Sequence, residues 1–337
     1  MKAVLLTPKA GESADVGVGE IDEPRCGPGQ VKIDVRAASV NRADLAQRAG
    51  THGGTSPESS APTVAGLDAA GEIIEIGSGV TGFRCGDRVM VMVAGGLAQR
   101  IVVDHTMLIR IPMNWSYVEG AGAVLGFMTA HNALVSAGRM SPDDVVVVHA
   151  AGSGVGMQAI QLARYLGARS IVGTTRTDRS HRLLNKLGAD HMISTHQDQF
   201  EDSVAEFTDG HGADVIIDFV GGPYLQANVR AAALGARLVS VGRLGGPEGL
   251  LDIETIAYKR VEIVGVTFRT RSLTEKARVV SDLVRDVPAL GCNGDSAEAP
   301  EVLRPQVFQV MDWTDTAEAH RIMAQNYAVG KIVLEVR

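Results

Sequence analysis

The sequence predicts an α/β protein in which a doubly wound parallel sheet joins a β-rich unit. Three observations carry this. Residues 145–156 read Val145-Val-Val-Val-His149-Ala-Ala-Gly152-Ser-Gly154-Val-Gly156, a branched apolar run entering a turn of small residues. An amphipathic stretch from Met157 to Leu166 follows at once, giving strand, turn and helix. From about residue 122 onward, short apolar strands alternate with helical stretches, the rhythm of βαβ units in a parallel sheet buried on both faces. A chain of 337 residues exceeds one ordinary core and predicts two domains.

The elements follow in order. Met1–Pro8 reads as a first strand. Val31–Arg36 alternates apolar and polar residues, a half-buried strand, and Gly71–Gly77 and Asp87–Val93 are further strands. Gly50 to Pro62 is rich in Gly, Ser, Thr and Pro and reads as a loop. The α/β part then runs helix Gly122–Ala137, strand Val145–Val148, helix Gly156–Leu166, strand Ser170–Thr174, helix Arg179–Lys186 and strand His191–Ile193. It continues through a helix near Gln199–Phe207, strand Ala213–Phe219, helix Tyr224–Ala232, strand Ala236–Val241 and an edge strand, Val261–Phe268. Gly291 to Pro300 reads as an insertion, and Thr316–Met323 with Lys331–Val336 as a last helix and strand.

Composition narrows the function. Hydrophobic residues at 45% and charged residues at 21% are the balance of an ordinary globular chain, far from disorder. A net charge of -7 supplies no basic face for nucleic acid. No apolar run reaches membrane-spanning length, and the amino-terminal segment is too short for a signal peptide, so a cytoplasmic location is expected. Cys26, Cys85 and Cys292 are widely spaced and form neither a CxxC pair nor a disulfide framework. With no His-x-x-x-His or His-x-x-Cys arrangement, no metal is expected.

The turn at 150–156 is the first candidate site. A helix start offers unpaired N–H groups and the positive end of its dipole, so it suits a phosphate. The dinucleotide fingerprint G-x-G-x-x-G is broken here. Its positions hold Ala151, Ser153 and Gly156, with an additional Gly154. Smallness survives: nothing larger than serine or valine lies between Ala150 and Gly156. The plainer reading is a turn that packs a helix on a sheet. In an open parallel sheet the ligand sits at the carboxyl ends of the strands, so the turns after Val148, Thr174, Phe219 and Val241 are expected to share one rim. All four carry Gly, Ser, Thr or Arg. Ser153, Gly154, Val155, Gly156 and Thr174 are therefore candidate contacts to a diphosphate-bearing cofactor.

The second strand of the unit ends Gly173-Thr-Thr-Arg176-Thr177-Asp178-Arg179. An acidic residue at the tip would favour a free ribose 2′-hydroxyl. Arg176 and Arg179 instead bracket Thr177, and guanidinium forks suit a phosphate, which favours NADP over NAD. Asp178 argues the other way, unless it caps the next helix.

At this point the chain resembles a family. Asn41-Arg-Ala-Asp44-Leu, Gly66-Leu-Asp68-Ala-Ala-Gly71, Gly95-Gly-Leu-Ala-Gln99, Thr129-Ala130, His149–Gly156, Asp218-Phe-Val-Gly-Gly222 and Gly330-Lys331-Ile-Val-Leu stand in order along nearly its whole length. Together they are similar to the zinc-free, zeta-crystallin-like quinone oxidoreductases of the medium-chain dehydrogenase/reductase superfamily. The resemblance implies a GroES-like catalytic domain from 1–121 and 269–337, around a Rossmann domain at 122–268. It implies NADPH as cofactor and a homodimer joined through the Val261–Phe268 edge strand. Zinc-dependent relatives carry Cys and His ligands where this chain has Asn41 and Leu67. By family position, Thr129 meets the nicotinamide carboxamide. Val220, Gly242, Arg243, Leu244, Phe268, Arg269 and Arg271 border the nicotinamide and substrate, and Asn326 lies near the phosphates. Thr195 stands where relatives often use a tyrosine on the 2′-phosphate.

Without a Lewis acid to hold an alkoxide, alcohol dehydrogenation is disfavoured. Hydride delivery to a conjugated acceptor is easier, because charge delocalises onto an oxygen. The implied activity is NADPH-dependent reduction of quinones or activated C=C bonds. Asn41 is the candidate donor to that oxygen; its alternative is a structural role holding helix Arg42–Arg48. His52 stands where many relatives have tyrosine, as a candidate proton donor or an exposed loop histidine. Two other functions compete: an enoyl-thioester reductase of fatty-acid or natural-product assembly, with Arg269 and Arg271 lining a carrier channel, and a non-catalytic nucleotide-binding protein of the crystallin type.

Overall fold

The computed structural model describes residues 1–9, 12–51, 61–196, 199–290 and 298–337. The chain divides into two units, one of Met1–Leu125 with Arg271–Arg337, the other of Gly126–Thr270. The expected boundaries were 121/122 and 268/269.

In the first unit the strands are β1 (Lys2–Lys9), β2 (Glu12–Glu20), β3 (Gln30–Val40), β4 (Thr63–Val64), β5 (Asp68–Ile76), β6 (Arg88–Met92), β7 (Arg100–Asp104) and β8 (Leu108–Arg110), with helix α1 (Arg42–Arg48) between β3 and β4. Helix α2 (Tyr117–His131) leads out of it. It starts earlier than the expected Gly122. Ser116 and Glu119 form a capping box in which the Ser116 N–H reaches Glu119 Oε2 at 2.7 Å and the Glu119 N–H reaches Ser116 Oγ at 3.2 Å. From Asn132 to Ala137 the helix continues as π-helical turns.

The second unit holds β9 (Val145–Val148), α3 (Gly154–Tyr165), β10 (Ser170–Thr175), α4 (His181–Lys186), β11 (His191–Ser194), α5 (Phe200–Phe207), β12 (Ala213–Asp218), α6 (Leu225–Ala231), β13 (Ala232–Ser240), α7 (Ile253–Lys259) and β14 (Glu262–Gly265). The chain then returns to the first unit as α8 (Leu273–Asp286), β15 (Val307–Asp312), α9 (Thr316–Ala324) and β16 (Lys331–Glu335).

The second unit is one parallel sheet of order β11-β10-β9-β12-β13-β14, the doubly wound order with its switch point between β9 and β12. The four valines of β9 sit in its middle and are fully buried, which is why the run has no polar alternation. Strand β14 is the edge and is shorter than the expected 261–268. In the first unit one sheet runs β15-β16-β3-β5-β6-β8, with β7 also on β3, and a second runs β2-β1-β4. Strand β16 pairs antiparallel with β3, Ile332 opposite Val40, so Lys331 comes in beside Asn41. Among the described residues no helix is long and apolar enough to cross a membrane.

Candidate active site

In the second unit the small-residue turn lies at the switch point. Ala150 adopts φ 47°, a left-handed conformation that L side chains rarely hold. Ser153 caps α3, its Oγ accepting the Gly156 N–H at 3.0 Å. A β-carbon at Gly156 would lie 2.5 Å from the Ala150 carbonyl oxygen and 2.9 Å from Ala151 Cα. The backbone folds back on itself there, and only glycine permits it. The first N–H groups of the twelve-residue helix α3 point outward with no partner inside the helix. Such a cradle fits the diphosphate of a dinucleotide.

The other rim turns converge with it. The Ala151 N–H donates to the Thr174 carbonyl at 2.9 Å, tying the turn to the end of β10. Asp218, at the end of β12, accepts the N–H groups of Val220 at 2.7 Å and Gly221 at 3.0 Å through Oδ1. The loop after β13 is zipped to the same segment: the Leu244 N–H donates to the Phe219 carbonyl at 3.1 Å, and Gly245 to Val220 at 2.8 Å. Gly242 lies against Phe219, its missing β-carbon 2.7 Å from that carbonyl oxygen. Phe268 is half-buried and Arg243, Leu244 and Arg269 are exposed in this unit. Thr129, half-buried, stands one turn beyond Gly126, where a side chain would run into Gln158 of α3.

Beneath the rim lies a buried polar chain that sequence reading missed. His149 Nε2 is 2.6 Å from Asn228 Oδ1, and Asn228 Nδ2 donates to Asp218 Oδ2 at 3.1 Å. That fixes the proton on Nε2, so Nδ1 accepts from Thr174 Oγ1 at 2.8 Å. Burial holds the imidazole pKa below its ordinary value against the pull of Asp218. His149 thus stays neutral and joins three rim strands. The Thr174 hydroxyl proton is therefore used inside the protein. The signal was present in the sequence: a histidine inside an apolar strand end must find partners.

At the tip of β10, Arg176, Thr177, Asp178 and Arg179 are exposed side by side. Asp178 is the first residue of a 3₁₀ turn and makes no cap. The Thr195 hydroxyl donates to the Thr175 carbonyl at 3.3 Å.

In the first unit, the ends of β3, β5 and β16 enclose a cluster of buried polar groups. Asp68 Oδ1 accepts the Ser39 N–H at 2.6 Å. Its Oδ2 accepts from Ser39 Oγ at 2.5 Å and from Asn41 Nδ2 at 2.8 Å. Asn41 Nδ2 also lies 3.2 Å from the Ser39 carbonyl oxygen. Lys331 Nζ donates to Asn41 Oδ1 at 2.6 Å. The Asn41 N–H donates to Asp44 Oδ2 at 2.6 Å, opening α1. Asn41 was expected to aim its amide N–H₂ at substrate; in the structure both amide hydrogens have acceptors within this cluster. Asp68 and Lys331 lay outside the expected site residues. Both stand in the motifs that carry the family resemblance, and both open a strand whose next residues are apolar or small.

Burial pushes the Asp44 carboxyl up to about 7, with Asp68 adding to the rise. Burial also raises Asp68, opposed by Lys331, and lowers Lys331, opposed by Asp68 and Asp44. Raised in the native state, Asp44 favours folding fully below its unfolded value and loses that contribution as pH climbs through 7. Asp44→Asn is expected to cancel a decline of about 3 kcal/mol between pH 5 and 8. Melting curves of the two proteins across that range test this; parallel pH profiles would exclude it.

Asn326 lies in the first unit, exposed and left-handed (φ 59°) just past α9, where its Oδ1 accepts from Arg42. His52 falls outside the described residues, as does most of the loop expected to carry it.

The second unit defines an NAD(P)-binding oxidoreductase fold. Residues 27–113 match the family model of the alcohol dehydrogenase GroES-like domain, and residues 154–285 that of the zinc-binding dehydrogenases. The chain belongs to the medium-chain dehydrogenase/reductase superfamily. It is 33% identical to the polyketide synthase GfsB of Streptomyces halstedii over 91% of this chain but 5% of that protein, so it spans a small part of that relative. It is 26% identical to a quinone oxidoreductase-like protein 2 homolog of Nematostella vectensis, over 92% of this chain and 83% of that one. Among solved structures it is similar to a mycobacterial protein complexed with NADPH (25% identity, TM-score 0.82, 99% and 100% covered). It is also similar to a 2-haloacrylate reductase (27%, TM-score 0.80, 99% of each chain).

The second family model is named for zinc. Among the described residues no group of three His, Cys, Asp or Glu could hold a metal. Asn41 already accepts from a buried ammonium, which repels a second cation at that place.

Proposed function

We propose that this chain is a zinc-independent, NADPH-dependent reductase that transfers hydride to a quinone or to an activated C=C bond such as an enone. The observation that carries the reading is the pairing of a helix-start cradle at the switch point with two exposed arginines at the tip of the neighbouring strand. Bound there, NADPH supplies the hydride; the protein orients it and stabilises charge. The NADPH complex of one structural relative and the names of the quinone and haloacrylate relatives support it.

Two measurements test it. Arg176→Ala and Arg179→Ala should each raise the Kd for NADPH about tenfold, as one charge-assisted pair is lost, while leaving NADH unchanged. Near-equal Kd values for the two nucleotides in the wild type would refute the phosphate reading. NADPH oxidation with a panel of quinones, enones and enoyl-CoA esters tests the acceptor. Preference for the enoyl esters would favour the second reading, an enoyl-thioester reductase, which the polyketide synthase relatives support. Binding NADPH while reducing nothing would indicate a nucleotide-binding protein of the crystallin type.

The same reading includes a cytoplasmic homodimer formed through β14. That edge is exposed, with Ile263 43% accessible and Ile253 and Tyr258 of the preceding helix more so. An edge strand meeting its own copy satisfies both sets of free backbone groups. Sedimentation of the wild type should give twice the chain mass, and Ile263→Lys the monomer.

A further inference from the structure

The polar chain beneath the rim of the second unit has an unusual place in the fold. Thr174, His149, Asn228 and Asp218 are all buried, and the His149 ring stands edge-on to Phe200 and Tyr224, with centroids 4.7 and 5.0 Å away. Asn228 sits inside α6, where asparagine is a poor helix former. An apolar side chain would suit both the helix and the surrounding rings better. Every proton in the chain runs one way. Asp218 accepts on both carboxylate oxygens, so the Asn228 amide donates to it and turns its own oxygen to His149. A polar network satisfied in this way rigidifies what it joins.

Both ends of this relay open onto rim backbone. At one end the Thr174 carbonyl takes the Ala151 N–H at 2.9 Å, inside the small-residue turn. At the other, Asp218 Oδ1 holds Val220 and Gly221, and the Asp218 carbonyl takes the N–H groups of Val241 at 2.8 Å and Gly242 at 3.1 Å. One hydrogen-bonded path therefore runs from the turn after β9 to the turns after β12 and β13, across the switch point. In a doubly wound sheet a dinucleotide lies across that point, its adenosine half over β9 and β10 and its other half over β12 and beyond. We infer that Asn228 is a positioning residue for the cofactor: its amide, held between His149 and Asp218, carries the set of the diphosphate cradle to the turns that receive the nicotinamide half. The inference rests on the dinucleotide reading of this rim. Asn228 is fully buried and acts through those turns alone.

Calorimetric titration of the full chain with NADPH and with adenosine 2′,5′-bisphosphate tests it. The bisphosphate covers the adenosine half and stops short of the turns after β12 and β13. Asn228→Leu removes both amide hydrogen bonds at similar volume. It should raise the Kd for NADPH about tenfold and leave that for the bisphosphate within about twofold of wild type. Thr174→Val breaks the relay at its other end, keeps the carbonyl that holds Ala151 and strands fewer polar groups, so it reads the same link where Asn228→Leu folds poorly. It should give the same split between the two ligands. The double variant should bind NADPH no more than about twofold worse than the weaker single variant, because a relay broken once transmits nothing further. A merely structural network behaves differently: affinity for both ligands falls together, or the two single effects multiply to about a hundredfold. Either result overturns the inference. Unchanged NADPH affinity in both single variants also overturns it and leaves the reductase reading in place. If the ligands split as expected while no quinone, enone or enoyl ester is reduced, the reductase reading fails and the relay stands.

Discussion

Gly156→Ala is expected to raise the Kd for NADPH at least 100-fold while the chain still folds. The added β-carbon meets backbone on three sides: the Ala150 oxygen at 2.5 Å, Ala151 Cα at 2.9 Å and the Ala151 oxygen at 3.0 Å. No side-chain rotation relieves such contacts. The turn must open, and it has little room to do so. Ala150 already sits at φ 47°, the Ala151 N–H is held by Thr174, and the Ser153 N–H is held by Ala150 at 2.9 Å. What gives is the first turn of α3, because the Gly156 N–H is anchored only by Ser153 Oγ. The N–H groups of Gly154 and Val155 then no longer converge on one anion. Losing two charge-assisted hydrogen bonds costs about 3 kcal/mol or more, which is the expected change in affinity. Calorimetric titration with NADPH reads it directly. A Kd within threefold of wild type would show that the cradle lies elsewhere.

How much of this was legible in the sequence divides along physical lines. The parallel sheet was legible because β9, β12 and their neighbours are continuous apolar runs punctuated by glycine turns, a purely local signal. Helix α8 carries a local signal too, a capping box at Ser272-Leu-Thr-Glu275 in which the Ser272 N–H reaches Glu275 Oε2 at 2.7 Å. Strand β15 was not legible: it has no clear alternation and is defined by lying against β16. The site divides in the same way. The 150–156 turn could be read because it is contiguous. The use made of Thr174 could not, because His149 claims its hydroxyl from another strand. The Asn41–Asp68–Lys331 chain was beyond reading for a stronger reason. Its members belong to three segments far apart in sequence, and the register of β16 on β3 alone brings Lys331 to Asn41. Pattern reading identifies a donor type; which hydrogens remain free is a property of tertiary packing.

Asp68→Asn carries the largest expected effect on stability. Asp68 is fully buried and is the acceptor for three donors, two from Ser39 and one from Asn41. It also supplies the negative charge that opposes the desolvation of Lys331. The asparagine removes the charge and turns one acceptor oxygen into a donor facing donors. Leaving a buried polar group without its partner costs about 1–3 kcal/mol, more for a charged one, and about 3 is expected here, because Asp44 still opposes part of the lysine's desolvation. The pH dependence separates this from a simple packing loss. Lys331 titrates in the native state below its ordinary value, so its ionisation penalty weighs on the fold at lower pH and is relieved as pH rises toward the unfolded lysine range. With Asp68 neutral, the native value falls further, and the melting temperature of Asp68→Asn should climb with pH between 7 and 10 more steeply than that of the wild type. Adding Lys331→Met should flatten that climb and recover most of the loss, giving a coupling energy of about 1–3 kcal/mol between the two positions. Additive losses with parallel pH profiles would mean that the two charges do not sense each other, and the amide between them would then be a spacer and not a link.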